Sequence, residues 1–180
     1  MTSRNLRIGL DIDDTLADFI NSYKEYFNTS RYPSRLKENN ITKNVVRVLK
    51  FDRNFWVNLP IKNTISFVPE LYCTARVCNK DWTKRWLVTH GFPKRPVYQI
   101  FGHGVNKAKL IKGKVDLFID DSIVNFELLN ASGIPCLLLD QYDTKSWELN
   151  GKIHSLDLDE ILEEYSLFKH KVFPYFVELI

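Results

Sequence analysis

The sequence predicts an α/β fold: one domain of 180 residues with a central parallel sheet, helices packed on it, and a small helical insertion after the first strand. Three observations carry this reading. Short apolar runs alternate with helix-period segments between residues 70 and 140, the pattern of βαβ units and therefore of parallel strands. Three strands end in polar clusters, at Asp11–Thr15, Thr74–Arg76 and Asp120–Ser122. Residues 28–63, in contrast, are basic, Asn-rich and weakly patterned, which suits a subdomain inserted outside the sheet.

The elements follow in order. Leu6–Leu10 is an apolar run that delivers Asp11 at its carboxyl end, as a buried strand does. Leu16, Phe19, Ile20, Tyr23, Tyr26 and Phe27 recur at helical spacing. The insertion covers about residues 20–64 and contains a helix near Ile41–Leu49. Glu70–Thr74 reads as a strand and Lys80–His90 as a helix with Trp82 and Trp86 on one face, closed by Gly91. Pro96–Phe101 is a further strand, followed by a Gly102-His103-Gly104 turn and a short helix through Ile111. Val115–Ile119 and Ile134–Leu139 are strands that flank a helix over Ile123–Ala131, which stops near Gly133. Acidic Asp157–Tyr165 is a closing helix, and the apolar tail Val172–Ile180 is suited to cover the core or to form a subunit contact, as in a dimer.

Composition narrows the function classes. A hydrophobic fraction of 44% and an aromatic fraction of 13% support a real core, and no apolar stretch reaches membrane-spanning length. Neither a signal peptide nor an anchor is evident, and three cysteines (Cys73, Cys78, Cys136) lack zinc-ligand spacing. Reduced thiols in a cytoplasmic protein are the expectation. Arg31 to Lys62 holds eight basic residues against Glu38 and Asp52, whereas Asp140 to Glu164 holds eight acidic residues against Lys145 and Lys152. The basic segment would attract a phosphorylated substrate, and a solvated Lys-rich surface would read the same way.

Chemistry concentrates at the strand ends, where open parallel sheets bind ligands. In Asp11-Ile12-Asp13-Asp14-Thr15 two carboxylates stand two residues apart, on one side of an extended backbone. Asp11 can attack phosphorus to form an acyl phosphate, and Asp13 can serve as acid and then base. Two anions repel, and a hard dication held by oxygen ligands, magnesium, removes that obstacle. Asp14 and Thr15 suit a helix N-cap. Asp120 and Asp121, at the end of an apolar run, call for a neutralising metal, or for a capping role with Ser122. Thr74 and the backbone before Arg76 offer donors for phosphate oxygens, and either Lys107 or Lys109 can neutralise charge.

Taken in order, Asp11-Ile12-Asp13-Asp14-Thr15-Leu16, Thr74, a lysine at 107 or 109, and Asp120-Asp121 resemble the haloacid dehalogenase-like (HAD) phosphohydrolase superfamily over roughly residues 6–140. Within it, Asp11–Phe19, the Thr74-Ala75-Arg76 turn and the Leu117–Ser122 segment are similar to the 5′(3′)-deoxyribonucleotidase group. The resemblance implies a HAD-like Rossmannoid core. It implies that Asp11, the backbone carbonyl of Asp13, and one of Asp120 and Asp121 hold magnesium. It implies phosphate contacts from Thr74 and Lys107, with Arg76 in the same turn, and an aromatic Phe19 facing the substrate, with Trp56 in the same pocket. Asp14 departs from that group, which often has Gly there, and the inserted cap is short and basic. The expected activity is hydrolysis of a phosphate monoester, a nucleoside monophosphate first. Two rival expectations are a phosphatase of nucleic-acid 3′ ends, motivated by the basic segment, and a non-catalytic nucleotide- or partner-binding domain on an inherited fold.

Overall fold

The computed structural model describes residues 6–30, 47–100, 105–140 and 150–172. Six strands form one sheet: β1 (Ile8–Leu10), β2 (Leu71–Thr74), β3 (Val97–Gln99), β4 (Leu117–Asp120), β5 (Cys136–Leu139) and β6 (Lys152–Ile153). Their order is β3-β2-β1-β4-β5-β6, and every neighbouring pair is parallel. This is the α/β core that the sequence predicts, with the strand order of doubly wound folds. Strands β1, β2, β4 and β5 are buried along their whole length, which is why they read as continuous apolar runs rather than alternating ones.

The helices are α1 (Phe19–Tyr26), α2 (Arg53–Val57), α3 (Lys80–Thr89), α4 (Val105–Ile111), α5 (Ile123–Ala131) and α6 (Leu158–Val172). Local chemistry sets their ends. Asn79 Oδ1 accepts from the Asp81 amide to start α3, Ser122 caps α5, and Gly91 and Gly133 take the left-handed conformation just past α3 and α5. Among the expected elements, the closing helix runs further than Tyr165, to Val172. Strand β6 was not anticipated: two residues carry no periodicity, and its place is set by pairing with Leu138 and Leu139. The Gly102-His103-Gly104 turn, residues 41–46 of the expected insertion helix and residues 173–180 of the tail lie outside the described residues. Residues 47–49 are helical.

Packing at β1 is tight. A methyl group on Gly9 would lie 2.8 Å from Phe118 Cδ2 and 2.9 Å from Val115 Cγ1, so only glycine lets those two side chains close over the central strand. The chain between β1 and β2 leaves and returns along one seam. Asp18 N donates to Pro60 O at 2.9 Å, Lys62 N to Leu16 O at 2.7 Å, and Asn63 Nδ2 to Thr15 O at 2.8 Å. Ala17 and Ile61 form a bridge across the same seam. The segment that follows β1 is therefore fixed by its own returning chain.

Candidate active site

The strand order reverses direction between β1 and β4, and the crevice at the carboxyl ends of those strands is where doubly wound folds take ligands. Asp11 directly follows β1, and its amide donates to Ile119 O at 3.0 Å, extending the ladder by one residue. Asp120 is the last residue of β4 and Thr74 the last of β2. Three separate strands thus bring their polar ends to one edge.

Lys107, from α4, reaches into this edge and is enclosed there. Its Nζ donates to Asp11 Oδ1 at 2.9 Å and to Asp120 Oδ2 at 2.6 Å. Lys109, the other lysine considered from sequence, is exposed. Burial works against the Lys107 charge, but Asp11 and Asp120 outweigh it and hold the ammonium above its usual range. Asp11 is pushed up to about 7, first by burial and then by Asp120 and Asp13, with Lys107 opposing. Both oxygens of Asp120 are oriented by the protein: Oδ1 accepts from Ser122 N and Asn125 Nδ2, both at 3.0 Å, and Oδ2 from Lys107 and from Asn125 at 3.2 Å. Asp121 is half-buried, accepts from Thr15 Oγ1 at 3.3 Å, and is held well above the usual carboxylate range by burial and by Asp120 and Asp11.

Asp13 faces the same edge from the far side of the loop. Its Oδ1 accepts from Arg76 Nε at 2.8 Å, and its Oδ2 lies 3.4 Å from Thr74 Oγ1. Asp14 turns the chain with φ of 58°, a left-handed conformation that Gly takes freely and Asp tolerates. This accounts for the departure noted from the sequence. Its carboxylate does not cap as an adjacent residue would. Instead Oδ1 accepts from Ile20 N, inside α1, at 3.0 Å and pairs with Lys62 Nζ at 3.4 Å.

The structure brings Asp11, Asp13, Thr74, Lys107, Asp120 and Asp121 to one edge. Phe19 is half-buried and stacks on Trp56, with ring centroids 5.5 Å apart and planes 12° from parallel. Two residues sit differently from the expectation. Trp56 is 2% exposed, with its Nε1 bonded to Leu49 O, so its ring is a wall behind Phe19. Arg76 is 1% exposed, and its partner is Asp13 rather than an open phosphate position. Sequence reasoning missed Asn125 and Lys62. Asn125 bonds Asp120 from five residues further along the chain and Lys62 reaches Asp14 across 48 residues; neither had a local signal.

The donor set fits a divalent cation. Asp11, Asp120 and Asp121 each offer an oxygen within 4.8 Å of the other two, and all three are hard ligands of the kind magnesium takes. Five carboxylates (Asp11, Asp13, Asp14, Asp120, Asp121) meet three paired cations (Lys62, Arg76, Lys107) at this edge.

No known family model matches the chain, and a search of curated proteins returns no match. Among solved structures, the chain is similar to the crystal structure of a HAD hydrolase, family IA, variant 3, from Entamoeba histolytica HM-1:IMSS. The TM-score is 0.55 with 12% identity, over 89% of this chain and 99% of that one. At that identity the likeness is one of fold.

Proposed function

We propose that the protein is a magnesium-dependent phosphomonoester hydrolase that works through a phospho-aspartate, with a nucleoside monophosphate as the first substrate class to test. The observation that carries the reading is the placement of Asp11. It is a buried carboxylate at the switch point of the sheet, bonded to Lys107 and adjacent to a second, independently held carboxylate, Asp13. The fold shared with a HAD hydrolase supports it.

Asp11 is the nucleophile. Its attack on phosphorus forms a P–O bond to the carboxylate and breaks the ester P–O bond, and the departing alkoxide takes the proton that Asp13 carries. In the second half, water attacks the acyl phosphate, Asp13 takes its proton, and inorganic phosphate leaves with Asp11 restored. Lys107 spreads the charge of Asp11 and of the phosphate oxygens, and Thr74 Oγ1 donates to a non-bridging oxygen. Asp11, Asp120, Asp121 and the carbonyl of Asp13 are the groups that would hold magnesium. When bound, it offsets the repulsion between the Asp11 carboxylate and a phosphate anion. The insertion of about residues 20–64 acts as a small cap, with Phe19, backed by Trp56, as the aromatic surface on which a base would stack.

The test is phosphate release by the purified protein from 5′- and 3′-nucleotides and from a 3′-phosphorylated oligonucleotide, with magnesium or chelator. Magnesium-dependent release from mononucleotides, abolished in Asp11→Asn without loss of fold, is the expected result. Near-normal turnover in that variant would remove the mechanism. Release from the oligonucleotide alone would move the assignment to end processing, and nucleotide binding without turnover would make the domain a binding module.

A further inference from the structure

Resting on the phosphohydrolase reading, we infer that Arg76 is a positioning residue: locked against two indole rings, it aims the Asp13 carboxyl group at the leaving oxygen. Arg76 is almost wholly enclosed, at 1% exposure. Its Nε–H donates to Asp13 Oδ1 at 2.8 Å, while Nη1 and Nη2 are buried and make no hydrogen bond among the described residues. The guanidinium carbon lies 5.4 Å from the Trp56 ring and 5.2 Å from the Trp86 ring. Among the described residues, its charge is met by two aromatic faces and one carboxylate.

This arrangement fits neither of the usual uses of an arginine. A phosphate-binding guanidinium presents its paired N–H groups to the ligand, and here those are sealed away. A residue kept only for packing would be apolar, because a buried charge is weak evidence of stabilisation and an apolar side chain of similar volume packs as well. What the geometry provides is direction. The indoles are themselves pinned, Trp56 Nε1 to Leu49 O and Trp86 Nε1 to Leu59 O, both at 2.7 Å. The Arg76 carbonyl accepts from Gln99 Nε2 at 3.0 Å. With the guanidinium so restrained, its Nε–H occupies Asp13 Oδ1 at 2.8 Å, and Oδ2, held among the described residues only by the longer 3.4 Å bond from Thr74 Oγ1, is the oxygen turned to carry the proton and deliver it. Trp56 and both indole acceptors, Leu49 and Leu59, belong to the insertion itself. These described residues of the insertion therefore help set the orientation of the acid.

The role predicts a dependence on the leaving group. An alkoxide needs the proton from Asp13, whereas nitrophenolate leaves without one. For Arg76→Met, whose side chain fits the same aromatic slot, kcat/KM on an alkyl phosphate should fall about 100-fold, while that on p-nitrophenyl phosphate should change by about threefold or less. Water activation by Asp13 also suffers, so the variant should show a burst of nitrophenolate equal to the enzyme concentration. Arg76→Gln, which keeps an N–H near Asp13, should recover part of the loss, and Asp13→Asn combined with Arg76→Met should lose no more than Asp13→Asn alone. Equal losses on both esters, or a change confined to KM, would overturn the role and leave the hydrolase reading intact. A wild-type protein that turned over neither ester, whatever the divalent metal, would overturn the hydrolase reading and this role with it.

Discussion

Lys107 carries its charge into a space closed to solvent, and it is bonded to two carboxylates at once. Removing one partner of a buried ion pair leaves the other charge uncompensated. Lys107→Met in chelator at pH 8 is therefore expected to lose about 3–5 kcal/mol of stability, read from urea unfolding; an unchanged midpoint would contradict the bonding described. Asp14 is the second residue with a consequence. Burial pushes it up to about 6, against the opposing Ile20 amide and Lys62. An unfolded Asp titrates near about 4, so the folded state holds this proton more strongly. The stability this gives is full below about pH 4 and is lost as the pH rises through about 6. Asp14→Asn should flatten the fall in melting temperature over that window, and an unaltered profile would show that other groups dominate it. The placement of Asp11 and Asp120 at one sheet edge was legible because each directly follows an apolar run. Asn125 and Lys62 were not, since a polar residue on a helix or loop looks the same in sequence whether it meets solvent or a buried acid.

Strands β1 and β4 are the elements on which the site depends, and their approach is limited by Gly9. Gly9→Ala places a methyl group against Phe118 and Val115, and overpacking of this kind costs about 1–3 kcal/mol. Denaturant unfolding should show that loss, and a loss of turnover with it, because Asp11 follows β1 directly. The strands were readable from composition alone: Leu71–Thr74, Leu117–Asp120 and Cys136–Leu139 are buried throughout, and full burial demands unbroken apolar runs. Strand β6 was invisible for the complementary reason. Lys152 and Ile153 become a strand by pairing with β5, a contact between residues 14 apart in register that no local pattern encodes. The aromatic cluster behaved similarly. Phe19 at helical spacing marked an amphipathic helix, yet only packing shows that its ring lies on Trp56.

At the scale of the whole molecule, the site gathers more negative than positive charge, and the metal-free protein should show it. Asp11, pushed up to about 7 by burial and its acidic neighbours, contributes stability that is full below about pH 4 and is lost as the pH rises through about 7. On the proposed reading magnesium would bind the deprotonated acid, so the rise in melting temperature on adding it should grow with pH across that window. A magnesium effect independent of pH would place the ion elsewhere. No helix of the described residues is long and apolar enough to cross a membrane, and the cysteines Cys73, Cys78 and Cys136 are buried and form no disulfide among the described residues. The sequence by itself determined the sheet, its parallel sense and the ends at which acids would gather. These follow from local patterning, because strand burial and βαβ connection leave few alternatives. The tertiary structure alone decided that Lys107 and not Lys109 turns inward, that Asp14 ties the loop to α1 and Lys62, and that Arg76 pairs with Asp13. Each of those depends on which side chains from distant segments meet where water is excluded, and a charge with no water must find its partner in three dimensions.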